Sequence, residues 1–321
     1  MNRTGVRVSS PTESINARTV DIDIVPTLEL VRMINDEDRL VADAVAAVLP
    51  TLASLVDNAA TRVAAGGRVH YFGAGTSGRL GVLDAAELLP TFGWSDDVVL
   101  AHQAGGPAAF LSAVEDAEDD DGGADTADIT RDDVVIGLAA SGRTPYVGAA
   151  LSAAREAGAA TALVTANPDA SLAPLADYLL VVATGPEALT GSTRLKAGTA
   201  QKLVLNTFST ALAVRVGRTY QNLMVDMRAT NAKLRGRVIE LLIQATGLDE
   251  DDCATALDRC DGELKVALVH LLSGQAATPG QAREALAAND GRVREALAAV
   301  GFEAADATDT DTEMPRVDTV P

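Results

Sequence analysis

The feature that most constrains the fold of this chain is a repeated change of period. Five short β-rich runs, RVHYF (68–72), DVVLA (97–101), DVVIGLAA (133–140), ATALVT (160–165) and YLLVVA (178–183), are separated by Ala- and Leu-rich segments of helical length. Strands that read apolar on both faces and alternate with helices belong in a parallel sheet covered on both sides. The sequence therefore predicts an α/β domain over about residues 27–230. Its first part, from Thr27 to Ala65, carries apolar residues at a spacing of three and four, among them Leu28, Val31, Ile34, Val41, Val45, Leu52 and Leu55. That spacing is helical, with Asp36 placed to cap a second helix and Gly66-Gly67 to end the run. Residues 1–26 are polar and unpatterned, and are expected to form an arm lying on the body or on a partner.

Beyond Asn231 the pattern becomes helical throughout. Ala256-Leu257, Asp261-Gly262, Lys265 and Ala267-Leu268 recur 29 residues later as Ala285-Leu286, Asp290-Gly291, Arg294 and Ala296-Leu297. Each copy reads as a helix, a turn at Asp-Gly and a second helix. Two copies are too few for a solenoid, so residues 231–302 are expected to form a small all-helical domain. The acidic stretch 303–321 is expected to be disordered.

Charge narrows the function. With 26 basic and 45 acidic side chains in 321 residues, the net charge is −19. Such a chain repels a phosphate backbone and an anionic lipid surface, which excludes a general nucleic-acid binder and disfavours a peripheral membrane protein. The acids are 30 Asp and 15 Glu, while the bases are 22 Arg and only 4 Lys, a balance expected of a protein kept soluble in concentrated salt. Cys253 and Cys260 suggest neither a disulfide framework nor a zinc site. His70, His102 and His270 are scattered beside apolar residues and read as structural. No signal-peptide run opens the sequence and no segment has the length and apolarity of a membrane span, so a soluble, cytoplasmic protein is expected.

The chemistry-bearing residues gather where strands give way to helices. GAGTSGR (73–79) follows the first strand and formally satisfies GxGxxG. The acidic residue expected at the end of the next strand of a dinucleotide fold is missing, since Asp96 and Asp97 precede that strand. The hydroxyls of Thr76 and Ser77 would crowd a pyrophosphate, yet with Gly75 and the helix N–H groups they suit a phosphate monoester. Ser141, Gly142, Arg143 and Thr144 repeat the design after the third strand, with Pro145 at a first helical position. There Ser141 and Thr144 either cap the helix or bind phosphate. TGSTRLKAGT (190–199) adds Ser192, Thr193, Arg194 and Lys196 ahead of a long helix. Loops at the carboxyl ends of parallel strands converge on one crevice, so a sugar phosphate is the natural ligand.

Two carboxylates are candidates for proton transfer. Glu87 lies in DAAELLP (84–90), where Pro90 is expected to stop the helix and place Glu87 in its last turn. The macrodipole and apolar neighbours would both disfavour its charged form there, as a general acid requires. Without the adjoining loop it would read as an exposed Glu near a helix end. Glu118 sits in VEDAEDDD (114–121), which alone reads as a solvated charge run that does not single it out.

GAGTSGRLGVLDAAELLPTFG (73–93), AGGPAAFLSAVEDAEDD (104–120), IGLAASGRTPYV (136–147) and TGSTRLKAGTAQKLVLN (190–206) together resemble the N-acetylmuramic acid 6-phosphate etherases. INDED (34–38) and NLMVDMRATNAKL (222–234) match as well, so the resemblance spans roughly residues 10–300. It implies a flavodoxin-like sugar-isomerase (SIS) domain with a five-stranded parallel sheet, followed by a small helical domain like a ubiquitin-associated bundle. It further implies a homodimer with its active site near the subunit interface, a phosphorylated amino sugar as substrate, and no metal or redox cofactor. In the implied reaction the lactyl ether is cleaved by elimination and water addition, with Glu118 as base and Glu87 as proton donor. Where the family commonly reads DASECPPT, this chain reads DAAELLPT (84–91) around the retained Glu87, with Ala86 in place of the hydroxyl and Leu88-Leu89 in place of Cys-Pro. A non-catalytic SIS regulator and an aldose–ketose phosphosugar isomerase are the alternatives.

Overall fold

The computed structural model describes residues 10–112, 114, 116–227 and 232–302, so the acidic stretch 303–321 lies outside the described residues. The chain divides into two compact units, 1–216 and 217–321. In the first, the predicted strands appear as β1 (Val69–Gly73), β2 (Val99–Gln103), β3 (Val134–Leu138), β4 (Ala160–Thr165) and β5 (Tyr178–Val181). They form one parallel sheet in the order β2-β1-β3-β4-β5. Val69 pairs with Val99 on one side and Val134 on the other, so β1 is central and the chain reverses its direction of sheet growth between β1 and β3. That reversal opens a crevice at the carboxyl ends of these two strands, the usual ligand position of a doubly wound sheet.

Every residue of β1, β3 and β4 is buried, as the double-sided apolar runs require. On one face, α5 (Pro145–Ala157) packs Tyr146, Val147 and Leu151 into a core with Phe72, Val135 and Leu163. The unit also contains α1 (Thr27–Asp38), α2 (Leu40–Ala46), α3 (Leu49–Ala64), α4 (Gly75–Phe92) and α6 (Lys196–Arg215). Helices α2, α3 and α4 all pack on α6. Asp36 does not cap a second helix as expected. It lies inside α1, where its carboxylate pairs with Arg39 at 3.5 Å, and Arg39 joins α1 directly to α2. The arm is tied down by Thr19, whose hydroxyl donates to the Ala188 carbonyl (2.9 Å), and by Arg18, which donates to Glu37.

The second unit opens with a short antiparallel pair, β6 (Thr219–Tyr220) and β7 (Leu223–Met224), so it is not wholly helical. Division at 216/217, rather than near 230, follows from packing: Tyr220 and Val225 are buried with Val238, Leu257, Leu268 and Leu297. Helices α7 (Ala232–Thr246), α8 (Glu250–Arg259), α9 (Leu264–Leu272), α10 (Pro279–Ala288) and α11 (Val293–Ala299) complete it. The 29-residue repeat is α8–α9 and α10–α11. Asp261-Gly262 (φ 54°, 73°) and Asp290-Gly291 (φ 53°, 72°) take the same left-handed turn. The N–H of Gly262 donates to Leu257 O (3.0 Å), and that of Gly291 to Leu286 O (2.8 Å). Cys253 and Cys260 are buried free thiols in this core. No single helix among the described residues is long and apolar enough to cross a membrane.

Candidate active site

β1 delivers the chain directly into α4. Ala74 is the N-cap and makes no side-chain cap bond, so none of its own atoms occupies the first N–H groups of the helix. Those groups carry the positive end of the helix dipole, and the hydroxyls of Thr76 and Ser77 stand in the same turn. Gly78 is there for space: a Cβ would come within 2.1 Å of Gln103 Oε1 and 2.4 Å of the Gly73 carbonyl. The third glycine of GxGxxG thus lets the helix start close against β1 and the end of β2.

The second turn, from β3 to α5, has the same build. Thr144 is the N-cap of α5, Pro145 is its first residue, and the Thr144 side chain makes no cap bond. Of the two roles expected for Thr144, capping is therefore not taken up. Gly142 (φ 67°) brings the turn against Ala170, where a Cβ would meet Ala170 Cβ at 2.2 Å. Ser141 is held through its carbonyl, which accepts from Asn167 Nδ2 at 2.9 Å, and Arg143 follows on the same turn. Since β1 and β3 are adjacent, about 4.8 Å apart, the two turns flank one crevice.

The third segment adjoins the first. A Cβ on Gly198, in the first turn of α6, would stand 3.3 Å from the Thr193 carbonyl and 3.5 Å from Thr76 Cγ2. Ser192 lies in the tight turn just before it, with its N–H on Leu189 O (2.9 Å). Lys196 departs from expectation. It is fully buried, with Nζ 2.6 Å from Glu37, and so faces the interior rather than the crevice. The N-terminus of α6 is likewise occupied by the Glu187 carboxylate, which accepts from the N–H groups of Lys196 (2.9 Å) and Ala197 (3.0 Å). Burial pushes the Glu187 carboxyl up, against the pull of those N–H groups.

One cavity of ≈ 250 Å³ joins the turn after β1 to the acidic run: Gly75, Arg79, Gln103, Asp116 and Glu118 line it. Of the acidic run, Asp116 and Glu118 thus reach this cavity, Glu118 on a single 3-10 turn (Ala117–Asp119) that starts at Asp116 in the left-handed region (φ 63°). Gln103 is 6% exposed, and its Oε1 has no hydrogen-bond partner among the described residues.

Glu87 is elsewhere. Pro90 does not stop α4, which continues to Phe92 and ends at Gly93 in the left-handed region (φ 64°). Pro90 removes one N–H, whose acceptor would be the carbonyl of Ala86, an exposed residue, so the loss is small so near the helix end. Glu87 lies twelve residues beyond Gly75 on that helix, which at 1.5 Å per residue is about 18 Å. It is exposed, so its own chain does not supply the apolar surroundings expected for it. Leu83, Ala86, Glu87 and Pro90, spaced i, i+3, i+4, i+7, form one exposed stripe that is apolar except for the carboxylate.

The scattered histidines are built into the fold. His70 Nδ1 and His102 Nε2 are 3.0 Å apart, His102 stacks on Phe72 (4.1 Å between ring centres), and buried His270 bonds the Ala277 carbonyl at 2.7 Å. Burial, helped by His102 beside it and opposed by Asp133, lowers His70 to about 4. Asp84, in the same run as Glu87, is buried, accepting from Tyr71 Oη and Ser209 Oγ at 3.0 Å each. Burial raises its carboxyl. Among the described residues, no cluster of three or more His, Cys, Asp or Glu side chains could hold a metal ion.

Comparison with known proteins identifies the family. Residues 51–155 match the glucokinase regulatory protein N-terminal SIS domain, and residues 108–211 match the SIS domain. The chain is similar to the N-acetylmuramic acid 6-phosphate etherase of Thermobifida fusca, 59% identical over 83% of this chain and 88% of that protein. The proteins of the same name from Symbiobacterium thermophilum (53% identical; 82% of this chain, 89% of that protein) and Salmonella schwarzengrund (50%; 86% and 94%) are also similar.

Proposed function

The chain belongs to the N-acetylmuramic acid 6-phosphate etherase family, and from that premise we propose how its residues divide the reaction. The chain is a carbon–oxygen lyase that converts N-acetylmuramate 6-phosphate and water into N-acetylglucosamine 6-phosphate and D-lactate. The observation that carries the assignment of roles is the cavity shared by Gly75 and Glu118. The phosphate sits in the crevice between the two turns, held by helix N–H groups with Gly75, Thr76, Ser77, Ser141, Gly142, Arg143 and Thr144, and with Ser192 at its edge. In the open-chain sugar, Glu118 takes the proton from C2, which the C1 carbonyl acidifies. Electrons move to form the C2–C3 double bond, and the C3–O bond breaks as a Glu carboxyl protonates the departing lactate oxygen. Water then adds at C3 and a proton returns to C2. Positioned general acids and bases each contribute about 10²–10⁴-fold to such steps.

Glu87 serves as the donor from a second copy of the chain. At about 18 Å from the phosphate end of its own α4, it cannot reach the ether of a sugar bound there. The exposed apolar stripe around it fits the face of a homodimer, and burial against a second copy supplies the surroundings that favour a protonated carboxyl. We place the enzyme in the cytoplasm, because a doubly charged sugar phosphate does not cross a bilayer unaided.

Enzyme-coupled detection of D-lactate tests the reaction: lactate is expected from wild type and lost in Glu87→Gln and in Glu118→Gln. Mixing these two inactive variants is expected to restore about a quarter of wild-type activity, since half the dimers are mixed and each holds one intact site. No recovery on mixing rejects donation from the second copy. Binding without lactate supports a regulator, and ketose formation from an aldose phosphate an isomerase.

A further inference from the structure

We propose that Arg79 binds the carboxylate of the substrate's lactyl group and so determines specificity for the lactyl ether, an inference that rests on the etherase reading above. The substrate has two anionic groups, a phosphate on C6 and a lactyl carboxylate on the C3 substituent. The turns after β1 and β3 answer the first. The second must lie near Glu118, because C2, which loses the proton, is bonded to C3. Arg79 is the one basic side chain among the described residues lining the cavity that holds Gly75 and Glu118. Asp116 and Glu118 line the same cavity, so a carboxylate entering it needs a counter-cation.

The guanidinium is already held in place by backbone carbonyls. Arg79 Nε donates to the carbonyls of Ala109 (3.1 Å) and Phe110 (3.2 Å), and Nη2 donates to that of Ser112 (3.3 Å). These bonds use the Nε–Nη2 edge. The Nη1–Nη2 edge keeps one N–H on each nitrogen with no hydrogen bond to a described residue, and two such parallel donors match the two oxygens of a carboxylate. A cation held in place by three carbonyls loses little freedom on binding, which favours affinity. The same bonds tie the 109–112 segment, which leads toward Glu118, to the second turn of α4. The test must therefore separate recognition from support of that segment.

Titration calorimetry in an inactive Glu118→Gln background provides that separation, with N-acetylmuramate 6-phosphate and N-acetylglucosamine 6-phosphate as ligands. The first sugar has the lactyl carboxylate and the second lacks it. The background is expected to prefer the first by about 10- to 100-fold, the range for a charge-assisted fork. Adding Arg79→Met should reduce the preference to within about threefold. Because the readout is a ratio within one variant, general loosening of the segment cancels. If Arg79→Met binds neither sugar, Arg79→Lys replaces it, since a point charge cannot hold the carbonyls and a fork together: a reduced preference supports the inference. An unchanged preference in either variant, or no preference in the background, overturns it while leaving the etherase reading intact. A wild-type chain that binds neither sugar and releases no lactate removes that reading, and the inference with it.

Discussion

Lys196 Nζ lies 2.6 Å from Glu37 Oε2, and neither side chain has more than 2% of its surface in water. Arg18 approaches the same carboxylate, with Nε 2.5 Å from Oε1 and Nη2 2.9 Å from Oε2. One acid on α1 thus joins the arm to the first residue of α6. The two partners are not equivalent: Lys196 has Glu37 alone as its ion-pair partner among the described residues, whereas Glu37 keeps Arg18 if Lys196 is lost. Glu37→Leu is therefore expected to cost about 3–5 kcal/mol and Lys196→Met clearly less, by urea unfolding. Equal losses would contradict this asymmetry. The bond from Arg18, with Lys196 assisting, lowers Glu37 to about 2. Its stabilisation is complete above the ordinary carboxylate range and is lost as pH falls from about 4.5 to 2.

His70 gives a second pH dependence in a milder range. Its folded-state value of about 4 lies below the ordinary 6.5, so the unfolded chain binds the extra proton between those limits. Stability should therefore be full above pH 6.5 and fall between 6.5 and about 4. His70→Leu should flatten that part of the curve of urea midpoint against pH. An unchanged slope would show that the native state accommodates a charged imidazole there.

Gly78→Ala tests the tightness of the turn after β1 and its proposed hold on phosphate. The new methyl meets both Gln103 Oε1 and the Gly73 carbonyl, and only the first can move aside. The expected result is a KM for the sugar phosphate raised about tenfold or more, roughly the loss of one charge-assisted hydrogen bond. Adding Gln103→Ala should leave most of the defect in place. Full rescue would assign the crowding to the side chain alone.

The stripe around Glu87 makes a prediction about assembly. Leu83 and Leu89 are 45% and 50% exposed in one chain. Leu83→Asp should move the chain toward monomer in size-exclusion chromatography with light scattering. kcat/KM should fall in step, by about 10²-fold or more if the donor is lost with the partner. A monomer with full activity would refute the arrangement.

Salt is the last variable. A charge of −19 repels itself at low ionic strength, and added salt screens it. Activity and solubility are expected to rise with KCl toward molar concentrations, and a salt-indifferent chain would remove that reading of the Asp excess.

What the sequence made legible was mostly what local pattern encodes. Each strand lay within two residues of its expected position, because a buried parallel strand must be apolar on both faces. The two turns were legible because glycines and hydroxyls at strand ends have few other uses. The misreadings share one cause, tertiary context. Pro90 reads as a terminator, yet near an exposed helix end its missing bond costs little, and Gly93 ends the helix instead. Lys196 reads as an anion ligand beside Ser192, and nothing local reveals that Glu37, 159 positions away, claims it. Arg79 stood in a motif whose glycines drew attention, while its three acceptors are backbone carbonyls and leave no side-chain signature.

The length of α4 has a last consequence. Its 18 residues form one rigid rod, with Gly75 at its start and Glu87 about 18 Å further along. On the division of roles proposed above, with the first grasping one sugar and the second serving the neighbouring one, the unit of catalysis is a pair of chains. Turnover per chain then obeys mass action, declining on dilution below the dissociation constant of the pair. A copy that lacks one of the two carboxylates still completes a site with the other, so on this arrangement an excess of either single variant leaves activity per wild-type chain unchanged, whereas a copy lacking both silences its partner.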